Sequence, residues 1–140
     1  GPDAQLVLLC GHNTELAAAL EQVAWPFPTK VLGFTQDVPL YLGASDIFVG
    51  KPGPGSVSEA LSFGLYLLLD RKMALPQEKP VLNWVTRAGA GASFGKPADF
   101  QRSVQQLLTR IEQGMDAPPP RRNTASAEIS DLIDAIMQPA

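Results

Sequence analysis

Gly50-Lys51-Pro52-Gly53-Pro54-Gly55-Ser56-Val57-Ser58-Glu59-Ala60 is the stretch on which the reading of this chain turns. It follows a run from Asp46 through Ile47, Phe48 and Val49 that fits a buried strand, and it leads into helical spacing at Ala60, Leu61 and Phe63. A strand, a glycine- and proline-rich turn and a helix start together suit an anion. The first helical turn has backbone N–H groups without intrahelical acceptors and carries the positive end of the dipole. Gly53 and Gly55 let the backbone approach a ligand closely. A diphosphate held by Gly53, Pro54, Gly55 and Ser56 is the ligand such a loop fits best. Lys51 either adds charge near the phosphates or stands in solvent. The order is not that of a Walker loop, because Lys51 precedes the glycines.

Ser56 and Glu59 carry a second pattern. Their S-x-x-E spacing is that of a capping box, in which Ser56 caps the helix and the Glu59 carboxylate reaches back to the cap N–H. The functional alternative turns Glu59 outward, to accept hydrogen bonds from the two vicinal hydroxyls of a ribose. The spacing alone leaves both open.

Working outward, Gln5 to Cys10 is a continuous apolar run ending at Gly11, as expected of a strand covered on both faces of a parallel sheet. Asn13 or Thr14 can cap the helix that follows, with Leu16, Ala19, Leu20 and Val23 on its inner face. Trp25, Pro26, Phe27 and Pro28 stop it. Lys30 to Phe34 reads as the next strand, and Pro39 suits the first turn of a short helix through Leu40, Tyr41, Leu42 and Ala44. Gly64 is placed as the residue closing the helix after the loop, before a buried strand Leu65 to Asp70. Val81 to Arg87 is helical with Leu82 and Val85 inward, and a short last strand follows Ala88. From Pro97, a long helix carries an apolar stripe of Phe100, Val104, Leu107, Leu108 and Ile111, read as sheet-covering core. Residues 115–124 form a Pro/Arg loop, and Ala125 to Met137 returns to helix. Strands alternating with helices at short connections specify a Rossmann-like α/β fold, a parallel sheet with helices on both faces and ligands at the carboxyl ends of the strands.

Composition narrows the function. The chain has 140 residues, 45% hydrophobic and 18% charged, which suits a single domain over 1–140 with an ordinary core. A net charge of −3 argues against a nucleic-acid partner, which needs a basic surface. No apolar run approaches the roughly 18 residues of a spanning helix. One cysteine, Cys10, and one histidine, His12, exclude an internal disulfide and a Cys/His zinc site, so no metal is expected. A cytoplasmic location is the expectation.

Val31 to Gly91 resembles the donor half of a GT-B glycosyltransferase. The likeness is to the group containing monogalactosyldiacylglycerol synthases, processive diacylglycerol glucosyltransferases and the peptidoglycan N-acetylglucosaminyltransferase. Three motifs carry it at family-like spacing. Lys51 to Ala60 matches a K-[AP]-G-[PG]-x-[TS]-x-x-E-A loop, Gln77 and Glu78 match a G-Q-E segment, and Ala88 to Gly91 match an N-G-A-G-like turn. The resemblance implies a UDP-sugar donor, with no other cofactor. It puts the uracil at Phe34 and Thr35, the ribose at Glu59 and the sugar at Gln77 and Glu78. Cys10-Gly11-His12-Asn13 is similar to the family's C-G-R-N, which makes His12 a further donor contact or a solvated loop residue. Phe34 is otherwise a core residue. The sequence departs from G-Q-E-x-G-N at Pro76 and at Pro80-Val81, which puts the sugar and the local backbone path in doubt.

The same resemblance implies that the acceptor site and general base belong to an N-terminal acceptor domain or a separate acceptor-binding subunit. The chain then matches a C-terminal donor domain truncated at its N-terminal side. It holds no catalytic residue and is inactive alone, and any membrane contact is made through absent parts. The expected function is donor binding for inverting, metal-independent hexosyl transfer to an acceptor hydroxyl, with a lipid as one acceptor class. The alternatives are a non-catalytic nucleotide-sugar-binding or sensor module, and an interaction domain with a vestigial site.

Overall fold

The computed structural model describes residues 4–117. The helix expected over residues 125–137, and the loop over 115–124 beyond residue 117, lie outside the described residues. Two compact units divide the chain, one from Gly1 to Tyr41 and one from Leu42 onward.

In the first unit, strands β1 (Leu6–Leu9) and β2 (Thr29–Leu32) pair in parallel, with Leu6 opposite Thr29 and Leu9 opposite Leu32. Helix α1 (Thr14–Glu21) connects them. Asn13 caps α1, its side-chain oxygen accepting from the Leu16 N–H at 3.0 Å. At the other end the Trp25 indole N–H donates to the Leu20 carbonyl at 3.0 Å, and the proline-flanked turn follows. The expectations of a doubly covered first strand and a buried inner helix face need correction. No described residue of this unit is fully buried; Leu9, Leu16 and Val23 are each close to half exposed, and Ala19 is exposed too. A sheet only two strands wide offers too little surface to bury a helix face and both sides of a strand.

Helix α2 (Val38–Gly43) carries the chain across the division. In the second unit, β3 (Ile47–Gly50), β4 (Tyr66–Asp70) and β5 (Gly91–Phe94) form a parallel sheet in that order. β4 is central, and Leu65, Leu67, Leu68 and Leu69 are each at most 1% exposed. Helix α5 (Pro97–Glu112) covers one face, where Leu107 packs with Tyr66 and Leu68, and Phe100, Val104 and Ile111 border them. Successive strand residues alternate in direction, so Leu67 and Leu69 face the other layer. Helices α3 (Pro54–Ser62) and α4 (Lys79–Arg87) bury Val57, Ala60 and Leu61, and Val81 and Val85. The inward residue of α4 next to Val85 is therefore Val81, one position before the expected Leu82, which is half-buried.

Glycines make two of these joints possible. Gly64 ends α3 with φ +76, the left-handed turn expected there. Gly91 opens β5 so close to β4 that a Cβ would collide with the Leu67 carbonyl oxygen. Ala88 to Gly91 thus has a packing reason for its last glycine, independent of any ligand.

Candidate functional site

The 50–60 stretch folds as β3, a turn and α3. Gly53 is the N-cap, in extended conformation, and Pro54 occupies the first helical turn, where a missing N–H loses nothing. The first intrahelical bond runs from the Val57 N–H to the Gly53 carbonyl at 3.0 Å. Glycine has no side chain to cap with, and no other group bonds the N–H of Gly55 or Ser56 among the described residues. This geometry excludes the capping box. Ser56 lies in the first turn rather than at the cap, and its side chain and the Glu59 carboxylate make no hydrogen bond among the described residues. Ser56 and Glu59 are three residues apart, one above the other on the same helix face. Val57, Ala60 and Leu61 turn the opposite way, into the core. Lys51 and Gly55 are exposed, while Gly53 and Glu59 are half-buried.

β3 and β4 run in parallel with Gly50 opposite Leu69, so the loop after Asp70 leaves the sheet at the same edge as the 50–53 turn. Asp70 folds back to accept from the Lys72 N–H at 2.9 Å, starting a 3₁₀ turn over Arg71–Met73. A second 3₁₀ turn, Pro76–Glu78, follows. The two residues of the Gln-Glu pair differ there. Gln77 is exposed, and its side chain has no hydrogen-bond partner among the described residues. Glu78 is 5% exposed, and its Oε1 accepts from the Leu75 N–H at 2.9 Å. Its Oε2 has no protein partner and keeps solvent contact, since no buried side-chain oxygen among the described residues is unpaired.

Next to this loop is an ionic clamp that the sequence did not reveal. The Arg71 guanidinium donates to Asp99 Oδ2 at 3.1 Å and to Ser93 Oγ at 3.2 Å, joining the end of β4 to β5 and to the start of α5. Partial desolvation works to raise the Asp99 pKa. Hydrogen bonds from the Lys96 N–H, Arg71 and the Gly95 N–H outweigh it and hold the carboxyl below its ordinary value. Partners 22 and 28 residues apart leave no local signal to find.

In the first unit, the ends of β1 and β2 bring His12 and Phe34 together. Their rings stack with centroids 4.5 Å apart and planes 12° from parallel. Phe34 is 64% exposed, so the core reading of that residue is wrong, and His12 is a stacked rather than a merely solvated loop residue. Thr35 is half-buried, and its hydroxyl accepts from the Asp37 N–H at 3.0 Å, shaping the turn after β2. Among the described residues, no group of three or more His, Cys, Asp or Glu side chains could hold a metal ion. No described helix is long and apolar enough to cross a membrane.

No family model matches the chain. Curated relatives do. Monogalactosyldiacylglycerol synthase 2, chloroplastic, of Arabidopsis thaliana is 37% identical over 119 residues, 82% of this chain and 25% of that protein. The Spinacia oleracea chloroplastic monogalactosyldiacylglycerol synthase is 33% identical over 105 residues, 75% of this chain and 20% of its own length. Synthase 3 of Arabidopsis thaliana is 36% identical over 112 residues, 80% of this chain and 24% of that one. The chain thus spans a quarter or less of the relatives it matches. Sequence over four-fifths of the chain and helix-flanked parallel sheets agree: the chain is homologous to a segment of the monogalactosyldiacylglycerol synthases, with a Rossmann-like nucleotide-binding fold of the GT-B glycosyltransferase type.

Proposed function

We propose that the chain is the donor-binding part of an inverting, metal-independent glycosyltransferase that moves a hexosyl group from a UDP-sugar to an acceptor hydroxyl, with a lipid as the acceptor class. The observation that carries this reading is the start of α3. A glycine cap leaves the Gly55 and Ser56 N–H groups open, and one turn later on the same face stands a carboxylate, each without a partner among the described residues.

The diphosphate lies against Gly53 to Ser56, with the Ser56 hydroxyl as a further donor and Lys51 adding positive charge. Glu59, one helical turn or about 5.4 Å further on, accepts from the ribose hydroxyls. Gln77, on the turn that Glu78 closes, belongs to the sugar end. In the first unit, Phe34 with His12 stacked on it, and Thr35, are the uracil residues that the resemblance implies. As the acceptor oxygen bonds to the anomeric carbon from the side opposite the phosphate, the bond to UDP breaks and configuration inverts. Negative charge grows on the departing diphosphate, and preorganised N–H groups and the helix dipole stabilise it without a cation. The acceptor proton passes to a base outside this chain, in an acceptor domain of a longer protein or in a partner subunit, so the chain alone turns over nothing. We place the protein in the cytoplasm, at a membrane surface through those other parts. The relatives' names specify chloroplasts, and cell fractionation decides between the two.

Calorimetric titration with UDP tests the donor site. Weak binding is expected, reduced at least tenfold by Glu59→Ala, equivalent to a loss of ~1.4 kcal/mol. No heat with the native chain, or equal affinity in the variant, would remove the assignment.

A further inference from the structure

We infer that Glu78 is a positioning residue rather than a sugar ligand: it locks the turn from Leu75 to Glu78 so that Gln77 alone faces the donor sugar. This deepens the donor-site reading and rests on it. The two neighbours differ in kind. Gln77 presents an amide oxygen and two N–H donors to solvent, with no side-chain partner among the described residues, the equipment needed to read adjacent hydroxyls. Glu78 is 5% exposed and is already engaged.

The engagement is reciprocal. The Leu75 N–H donates to Glu78 Oε1 at 2.9 Å, and the Glu78 N–H donates to the Leu75 carbonyl at 2.8 Å. Two bonds therefore close the same four residues, one of them to a carboxylate and stronger for its charge. Pro76 inside the turn and Pro80 just after it fix two further φ angles. Both prolines are departures from the family motif, and together with the buried carboxylate they make this turn stiff. Gln77 is its exposed tip, in the loop that leaves the sheet at the edge shared with the 50–53 turn.

The test is a double-mutant cycle on the full chain. The quantity read is the gain in affinity of UDP-galactose over UDP, by calorimetry. Gln77→Ala and Glu78→Ala should each reduce that gain by about fivefold, the size of one hydrogen bond. The double variant should lose no more than either single one, because Glu78 acts only through Gln77. Glu78→Gln, which keeps an oxygen for the Leu75 N–H, should retain most of the gain. In the ligand-free chain, Glu78→Ala should speed amide exchange at Leu75 and at residue 78, the two N–H groups whose bonds close the turn. Losses that multiply in the double variant would show direct contact through Oε2 and overturn the inference, as would a Glu78→Ala chain with its gain or its amide protection intact. Absence of UDP binding by the native chain would instead overturn the donor site, and the role of Gln77 with it.

Discussion

β1 and β4 are both short apolar strands in parallel pairing, yet β4 is sealed from solvent while β1 ends in a half-exposed leucine. Composition does not separate LVLL from YLLLD. What differs is the surroundings. β4 has a strand on each side, α5 on one face and α3 and α4 on the other, whereas β1 has β2 and one connecting helix. Burial is a property of the neighbourhood that an apolar run enters. Side-chain hydrophobicity supplies the tendency, and the strand's place in the sheet decides how much of it is used.

Truncation tests this contrast most strongly. Leu68→Ala, at a position 0% exposed, should destabilise the second unit by ~2–5 kcal/mol in urea unfolding. Leu8→Ala, at a half-buried position in β1, should fall well below that, and equal losses would break the comparison. Backbone packing sharpens it next. Gly91→Ala puts a methyl group into the Leu67 carbonyl and should cost ~1–3 kcal/mol. Gly55→Ala, with open space around its Cβ position and no positive φ, should stabilise by ~0.4–1 kcal/mol, read by the same unfolding curves.

The smallest effect belongs to the clamp at the rim of the sheet. The Asp99 carboxyl is lower in the folded chain than in the unfolded one, so its contribution is present above the ordinary aspartate range and is lost as pH falls through the folded value. Asp99→Asn should lower the melting temperature modestly near neutral pH. The gap to the native chain should close as pH is taken from about 7 to about 3. A gap that is constant with pH would assign the effect to α5 capping alone.

Local chemistry was legible. The alternation of apolar runs with Gly- and Pro-rich turns gave five strands, the parallel class, a cap at Asn13 or Thr14, of which folding used Asn13, and the helix-closing Gly64, because each depends on a few adjacent residues. The 50–60 stretch was readable as an anion loop for the same reason. Its two meanings, capping box or open site, differed only in where the helix begins. Pro54 at the first turn decided that, two residues before the serine the spacing favoured.

The sequence by itself determined the strand–turn–helix at 50–60, the kinship of that loop and the polar side chains available at its edge, since propensity, φ restriction and motif spacing are written along the chain. Only the tertiary structure decided which side chains remain available. Phe34 came out of the core onto His12, Glu78 was drawn inward to its own turn, and Arg71 was tied to Asp99. Each outcome depends on what another segment places alongside, and neighbours brought together by folding leave no mark in the spacing of residues.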